Sequence, residues 1–91
     1  MRYIDVLWIH DFNEEPYRLI SEIGEDDYEI RKIEFFRDGK IGFATTQNHS
    51  DNTRLGVAEV PHLDEINSEN EFDGKNISKQ EFEALWVDCV G

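Results

Sequence analysis

Alternation of apolar and polar residues dominates the first half of the chain and predicts β-strands. Residues 3–10 are rich in β-branched and aromatic side chains on both alternating faces, which is typical of a strand covered in part on both sides. The same two-residue period predicts further strands at residues 17–23, 28–36 and 41–46. An Asp-Gly pair at positions 38–39 is a strong hairpin signal, so the third and fourth strands should pair antiparallel.

The middle of the chain has weaker patterns. Residues 47–54 contain no apolar side chain and are predicted to form a mobile polar loop. Residues 55–60 fit either a short fifth strand or an extended crossover. Pro61 can open a short helix with Leu63 and Ile66 on its buried side. Residues 67–76 are predicted to be acidic and irregular, anchored by Phe72.

A C-terminal helix has the clearest local signal. Ser78 followed by Glu81 forms a capping box, which marks a helix start. An apolar stripe at helical spacing should face the sheet, and it consists of Phe82, Leu85, Trp86 and Cys89. The opposite side of the helix is polar, and it consists of Lys79, Gln80, Glu83 and Asp88.

The order of these elements predicts the fold class. Strands come first and helices follow, without the alternation of parallel α/β folds. The prediction is a single α+β domain over residues 1–91, with an antiparallel four- or five-stranded meander sheet packed by a C-terminal helix and a short preceding helix. Within it, residues 1–46 form the meander, residues 47–54 the polar loop, and residues 55–91 the extended segment and helices.

The net charge of −12, from 21 acidic and nine basic residues, bears on partners. It disfavours nucleic acid, whose phosphates would be repelled, and anionic membranes. A basic protein partner would be attracted, although acidity can also serve solubility alone. The C-terminal part is the more acidic, and its predicted partner-binding residues are Asp64, Glu65, Glu69, Glu71 and Asp73.

Cysteine content and hydropathy predict a soluble, cytoplasmic protein. The single cysteine, Cys89, leaves no intrachain disulfide and no multi-cysteine zinc site. The N-terminal residues include an early acid and no long apolar run, which is unlike a signal peptide. No stretch approaches the roughly 20 apolar residues of a membrane helix.

Recognisable catalytic motifs are missing from the sequence. It has no phosphate-binding glycine loop, no nucleophile elbow and no metal-ligand cluster, so no cofactor, metal or catalytic residue is predicted. One alternative polar site is considered on the sheet face, formed by His10, Glu22, Arg31 and Glu34. The plainer interpretation is that His10 hydrogen-bonds a loop backbone, and that Glu22 and Arg31 form an exposed cross-strand ion pair.

Several motifs along the chain resemble those of an uncharacterised family of small bacterial proteins. They are the opening M-R-Y-I-D-V-x-W-x-H, S-E-I at positions 21–23, E-x-R-K-x-E at 29–34, R-D-G-x-x-G-x-A at 37–44 and the ending I-S-x-x-E-F-E-x-x-W at 77–86. The resemblance covers almost the whole chain. It implies a stand-alone domain and brings no established activity.

The combined prediction is an acidic protein-binding module rather than an enzyme. A specific form of it is an immunity protein or inhibitor that neutralises a cationic, nuclease-type bacterial toxin. The alternatives are a small enzyme or ligand-binding domain that uses the polar sheet-face site, and an accessory domain whose protein contact is unrelated to toxins.

Overall fold

The fold is α+β, as predicted. A computed structural model describes residues 1–91 and contains five strands and two helices. In chain order they are β1 (Arg2–Trp8), β2 (Arg18–Ile23), β3 (Glu29–Phe35), β4 (Ile41–Thr45), α1 (Leu63–Ile66), β5 (Phe72–Asn76) and α2 (Lys79–Cys89).

All five strands form one antiparallel sheet in the order β4-β3-β2-β1-β5. The meander of β1 to β4 is confirmed. The fifth strand is Phe72–Asn76, which lies beside β1, so the prediction of an irregular segment over residues 67–76 was wrong for its last part. Residues 55–60 form no strand and follow the crossover alternative.

Gly74 explains why such a weakly strand-like sequence pairs with β1. An ideal Cβ at this position would lie 2.8 Å from Leu63 Cδ2 and 3.2 Å from Val6 Cγ2. Glycine therefore lets α1 and β1 approach the β5 backbone closely. On the free edge of β5, the Asn67 side-chain amide accepts from Gly74 N at 2.7 Å and donates to Gly74 O at 3.0 Å. These bonds occupy part of an edge that could otherwise pair with another chain.

The segment predicted to be a mobile loop is held against the sheet. Ser50 N donates to Phe43 O at 2.9 Å, and Phe43 N donates to Ser50 Oγ at 3.0 Å. Thr53 is only 1% exposed. The hydroxyls of Ser50 and Thr53 hydrogen-bond to β4 and β3, while most other residues of this polar loop are exposed.

Helix α2 covers one face of the sheet. Phe82 is fully buried against Ile20 and Ile33, and Leu85 and Trp86 pack around them. The predicted capping box is present, since Ser78 Oγ accepts from Glu81 N at 3.0 Å and Glu81 Oε1 accepts from Ser78 N at 3.1 Å.

The opposite face is covered by α1 and the segment before it. Ile4, Val6 and Ile23 are buried there, and the residues packed against them are Val60, Leu63, Ile66 and Phe72. The short helix predicted after Pro61 begins at Leu63. Neither helix of the fold has the length and apolar character needed to cross a membrane.

Candidate functional site

Glu22 and Arg31, two residues of the predicted polar site, lie together beneath α2. They are cross-strand neighbours, and Arg31 Nε donates to Glu22 Oε1 at 2.6 Å. Glu83 reaches down from the helix and accepts from Arg31 Nη1 at 3.0 Å and Nη2 at 2.9 Å. The expected ion pair is thus present but not exposed, because Glu22 is only 6% accessible. The assignment of Glu83 to the outer side of the helix was wrong.

This ionic group is closed by aromatic rings and further hydrogen bonds. The Arg31 guanidinium lies 4.8 Å from the Phe82 ring centre and 5.0 Å from that of Trp86. Hydrogen bonds to Glu22 and Glu83 raise the pKa of Arg31, and the bond from Arg31 lowers the pKa of Glu83. Burial and the bond from Tyr3 to Glu22 raise the pKa of the Tyr3 phenol. Through its bonds to both acids, Arg31 fastens the helix to the sheet.

Glu34 and His10 lie elsewhere, so the four residues do not form one site. Glu34 points to the opposite face of the sheet, where its Oε1 accepts from Thr53 Oγ1 at 2.9 Å. His10 follows the end of β1, with Nε2 2.7 Å from Pro16 O and Nδ1 accepting from Phe12 N at 2.9 Å. His10 therefore hydrogen-bonds the loop backbone, which agrees with the plainer of the two interpretations.

A buried ionic cluster that the sequence did not reveal surrounds Lys32 on the face opposite α2. Lys32 is only 9% exposed, and its Nζ lies 3.2 Å from Glu29 Oε1 and 3.9 Å from Glu34 Oε2. Ser21 Oγ donates to Glu29 Oε2 at 3.1 Å, and Gly56 N donates to Glu29 Oε1 at 2.6 Å. The cluster therefore binds the crossover segment to the sheet.

Strand irregularity explains why this cluster was missed. Strict alternation would place Glu29 on the same face as Arg31. A register shift next to Ile23 turns Glu29 to the face of Lys32 instead. The only local sign of the cluster in the sequence was the spacing of Lys32 and Glu34, which lie two residues apart on one strand.

Beside Glu34 the surface forms an open acidic groove of about 890 Å³. Its walls are residues 13–16, the β3–β4 hairpin and residues 50–53. Five carboxylates and one lysine line it, namely Glu14, Glu15, Glu34, Asp38, Asp51 and Lys40. Burial raises the pKa of Glu34, and nearby Lys32 opposes that rise. Such a groove can accept a cationic group, and only two of its lining side chains, Phe36 and Ile41, are hydrophobic.

The predicted C-terminal acidic residues are all exposed around β5. Asp64 and Glu65 lie in α1, Glu69 and Glu71 lie in the connection that follows, and Asp73 lies on β5 itself. They form a band around this edge of the sheet and lie outside the groove. The protein thus has two separate acidic surfaces, of which the sequence predicted the one at β5. We call them the β5 acidic band and the acidic groove.

Comparison with known proteins gives a family and no relative of established activity. No curated protein and no solved structure matches the chain. No group of three or more histidine, cysteine, aspartate or glutamate side chains has an arrangement that could hold a metal ion. The family model described as "Domain of unknown function (DUF6881)" matches residues 2–91. The chain therefore belongs to this family of uncharacterised domains, which confirms the resemblance seen in its motifs.

Proposed function

We propose that this protein is an acidic protein-binding module for a basic protein partner. Its most specific form is an immunity protein or inhibitor that covers the active site of a cationic, nuclease-type toxin domain. The observation that carries the proposal is the division of charge between the interior and the surface of the fold.

Basic side chains are preferentially used inside the fold. Arg2, Arg18, Arg31 and Lys32 are each paired with at least one carboxylate. Their acidic partners are Asp5, Glu22, Asp27, Glu29, Glu34 and Glu83. These pairs take four of the nine basic and six of the 21 acidic residues, which leaves five basic and fifteen acidic ones. All twenty of those are exposed, so acids outnumber bases three to one on the surface.

Such a surface favours fast, salt-dependent association with a positively charged protein. Acidic patches raise the local concentration of a cationic partner and speed its encounter. The β5 acidic band and the acidic groove supply the contacts in this proposal. The protein would need no catalytic activity to inhibit a nuclease. A carboxylate-rich surface that covers a basic nuclease site excludes the substrate phosphates.

The test uses the product of any toxin-like gene adjacent to the gene of this protein. Binding to that product is measured by calorimetry at low and high salt, together with inhibition of its nuclease activity. We expect binding that weakens as salt rises. The variant Asp64→Lys/Glu65→Lys/Glu69→Lys should weaken binding at least about tenfold, because it reverses charge within the proposed contact.

A matched control separates local contact from total charge. Glu25→Lys/Glu59→Lys/Asp88→Lys changes the net charge by the same amount at three exposed positions outside the β5 acidic band and the acidic groove. It should leave affinity within about twofold of the wild type at moderate salt, where distant charges are screened. Equal loss in both variants, or binding that does not respond to salt, would contradict the proposal and favour an accessory contact unrelated to toxins.

A ligand-binding domain is the second candidate, favoured by the position of Glu34. This carboxylate lies in the acidic groove with a raised pKa, which is a common feature of ligand sites. A small polycation is the ligand that the groove would accept. A thermal shift with spermidine that is lost in Glu34→Gln, and kept in the exposed control Glu59→Gln, supports this candidate. Equal shifts in both variants, or none in the wild type, exclude it.

A further inference from the structure

We propose that residues 9–16 form a preorganised docking loop that seats a folded protein partner with a positively charged face and an apolar pocket. This inference rests on the proposed function and deepens it. It names the contact surface and the character of the partner, neither of which follows from net charge.

The docking loop presents large apolar side chains to solvent. Ile9 is 62% exposed and Phe12 is 63% exposed. Both belong to the connection that follows β1, and the buried core of a protein interface is enriched in aromatic and other apolar side chains. Phe12 is also anchored from below, since its ring centre lies 5.4 Å from that of His10, which in turn lies 4.3 Å from that of Trp8.

Hydrogen bonds hold the docking loop in a single shape. His10 bridges it, with Nε2 donating to Pro16 O at 2.7 Å and Nδ1 accepting from Phe12 N at 2.9 Å. This pattern fits the neutral imidazole with its proton on Nε2. Arg37 of the adjacent hairpin donates to His10 O, and Ile9 N donates to Glu71 O at 2.7 Å. A loop fixed in this way loses little conformational entropy when a partner covers it.

Charge around the apolar side chains determines the partner. Strands β1 and β3 end, and β2, β4 and β5 begin, at the same end of the sheet. The connections at this end carry exposed acids, namely Asp11, Glu14, Glu15, Asp38, Glu69 and Glu71. The bases there are Arg37, which is bonded to His10 O, and Lys40. An apolar centre with an acidic rim complements a basic partner that offers an apolar pocket.

The first arm of the test maps the contact in cells of the source organism. A photoreactive phenylalanine analogue replaces Ile9, Phe12, Glu69, Val57 or Val87, one position at a time. Val57 and Val87 are controls because they are 95% and 67% exposed and lie outside the docking loop. We expect one basic protein to crosslink at positions 9 and 12 and not at positions 57 and 87. Equal crosslinking at the control positions would overturn the assignment of the docking loop.

The second arm measures affinity with the protein identified by crosslinking, purified and tested by calorimetry. Phe12→Ala and Ile9→Ala should each weaken binding about tenfold or more, since interface anchors behave in this way. Val57→Ala and Val87→Ala should leave it unchanged. All four variants should stay folded, with urea midpoints close to that of the wild type, because each side chain is more than half exposed. Unchanged affinity in Phe12→Ala and Ile9→Ala overturns the docking loop.

The outcomes distinguish this inference from the proposed function. If a basic protein crosslinks at position 69 but not at 9 or 12, the docking loop is wrong and the acidic binding module stands. If the crosslinked partner is acidic, or no basic protein is found at any of the positions, both are wrong.

Discussion

Arg31 of the sheet and Glu83 of helix α2 are joined by two parallel hydrogen bonds of 3.0 and 2.9 Å. The same guanidinium satisfies Glu22, a carboxylate that is almost completely buried. Arg31 thus pairs with one buried acid and one partly exposed acid, and the three side chains together keep one negative charge. The exposed side chains, with five bases and fifteen acids left, carry most of the negative charge of the chain.

Loss of Arg31 should destabilise the fold strongly. Arg31→Met leaves Glu22 buried without its partner, which we expect to lower the free energy of unfolding by about 3 kcal/mol. Glu83→Gln is the matched control, because Glu83 is the more exposed partner and the Glu22 pair remains, so its loss should be well below about 1 kcal/mol. Urea unfolding measures both. Equal losses would show that Glu22 does not depend on Arg31.

Glu34 should give the wild type a distinctive response to pH. Its pKa is raised on folding, so the folded chain binds this proton more tightly than the unfolded chain. Ionised Glu34 therefore opposes folding above its folded pKa, and this cost disappears as the pH falls below the unfolded value. Relative to Glu34→Gln, the wild type should gain stability between about pH 7 and about pH 4.

Urea unfolding at several pH values measures this difference. Glu59→Gln serves as the control, because Glu59 is exposed and its difference from the wild type should stay nearly constant. A wild type that loses stability relative to Glu34→Gln on acidification would show that the Lys32 pair, not burial, controls this carboxyl.

Gly42 should be intolerant of any side chain. An added Cβ would overlap Thr53 Oγ1 and would lie 3.3 Å from Ser50 Oγ. Gly42→Ala should push residues 50–53 off the sheet and cost about 1–3 kcal/mol in unfolding free energy. Thr53→Ala removes the overlapping hydroxyl, so the double variant should be less destabilised than the sum of the two single variants. If the two losses of unfolding free energy simply add, the side chain added at position 42 does not clash with Thr53.

Asn67 should protect the edge strand β5. Asn67→Ala removes both side-chain bonds to Gly74 and should lower the free energy of unfolding by about 1 kcal/mol. It also frees one backbone N–H and one C=O for pairing with another chain. Light scattering should then detect self-association that rises with concentration. The control Asn70→Ala changes an exposed asparagine in the same connection and should remain like the wild type.

Local patterns were sufficient to predict most of the fold. Strands β1 to β4 follow from their alternation, and α2 follows from its capping box and apolar stripe. The cross-strand contact of Glu22 and Arg31 also follows from hairpin register. In each case the residues that determine the structure are close together in sequence.

Features that depend on distant residues could not be predicted. The β5 sequence F-D-G-K-N has little strand propensity, and it pairs because Gly74 admits Leu63 and Val6 while Asn67 covers its edge. Glu29 faces Lys32 only because of the register shift in the second hairpin. The acidic groove likewise combines three segments that no sequence window contains. The β5 acidic band was predictable because its acidic residues all lie within one short stretch, residues 64–73.

Recognition of a basic partner through the acidic surface should depend on both salt and local charge. The most direct measurement is the affinity of the purified protein for the crosslinked or gene-adjacent partner as a function of salt. It compares the wild type with Asp64→Lys/Glu65→Lys/Glu69→Lys and with the charge-matched control Glu25→Lys/Glu59→Lys/Asp88→Lys. We expect tight binding at low salt, steep weakening as salt rises, and a selective loss in the first variant. Binding that is indifferent to salt, or equally affected by both variants, would contradict this expectation.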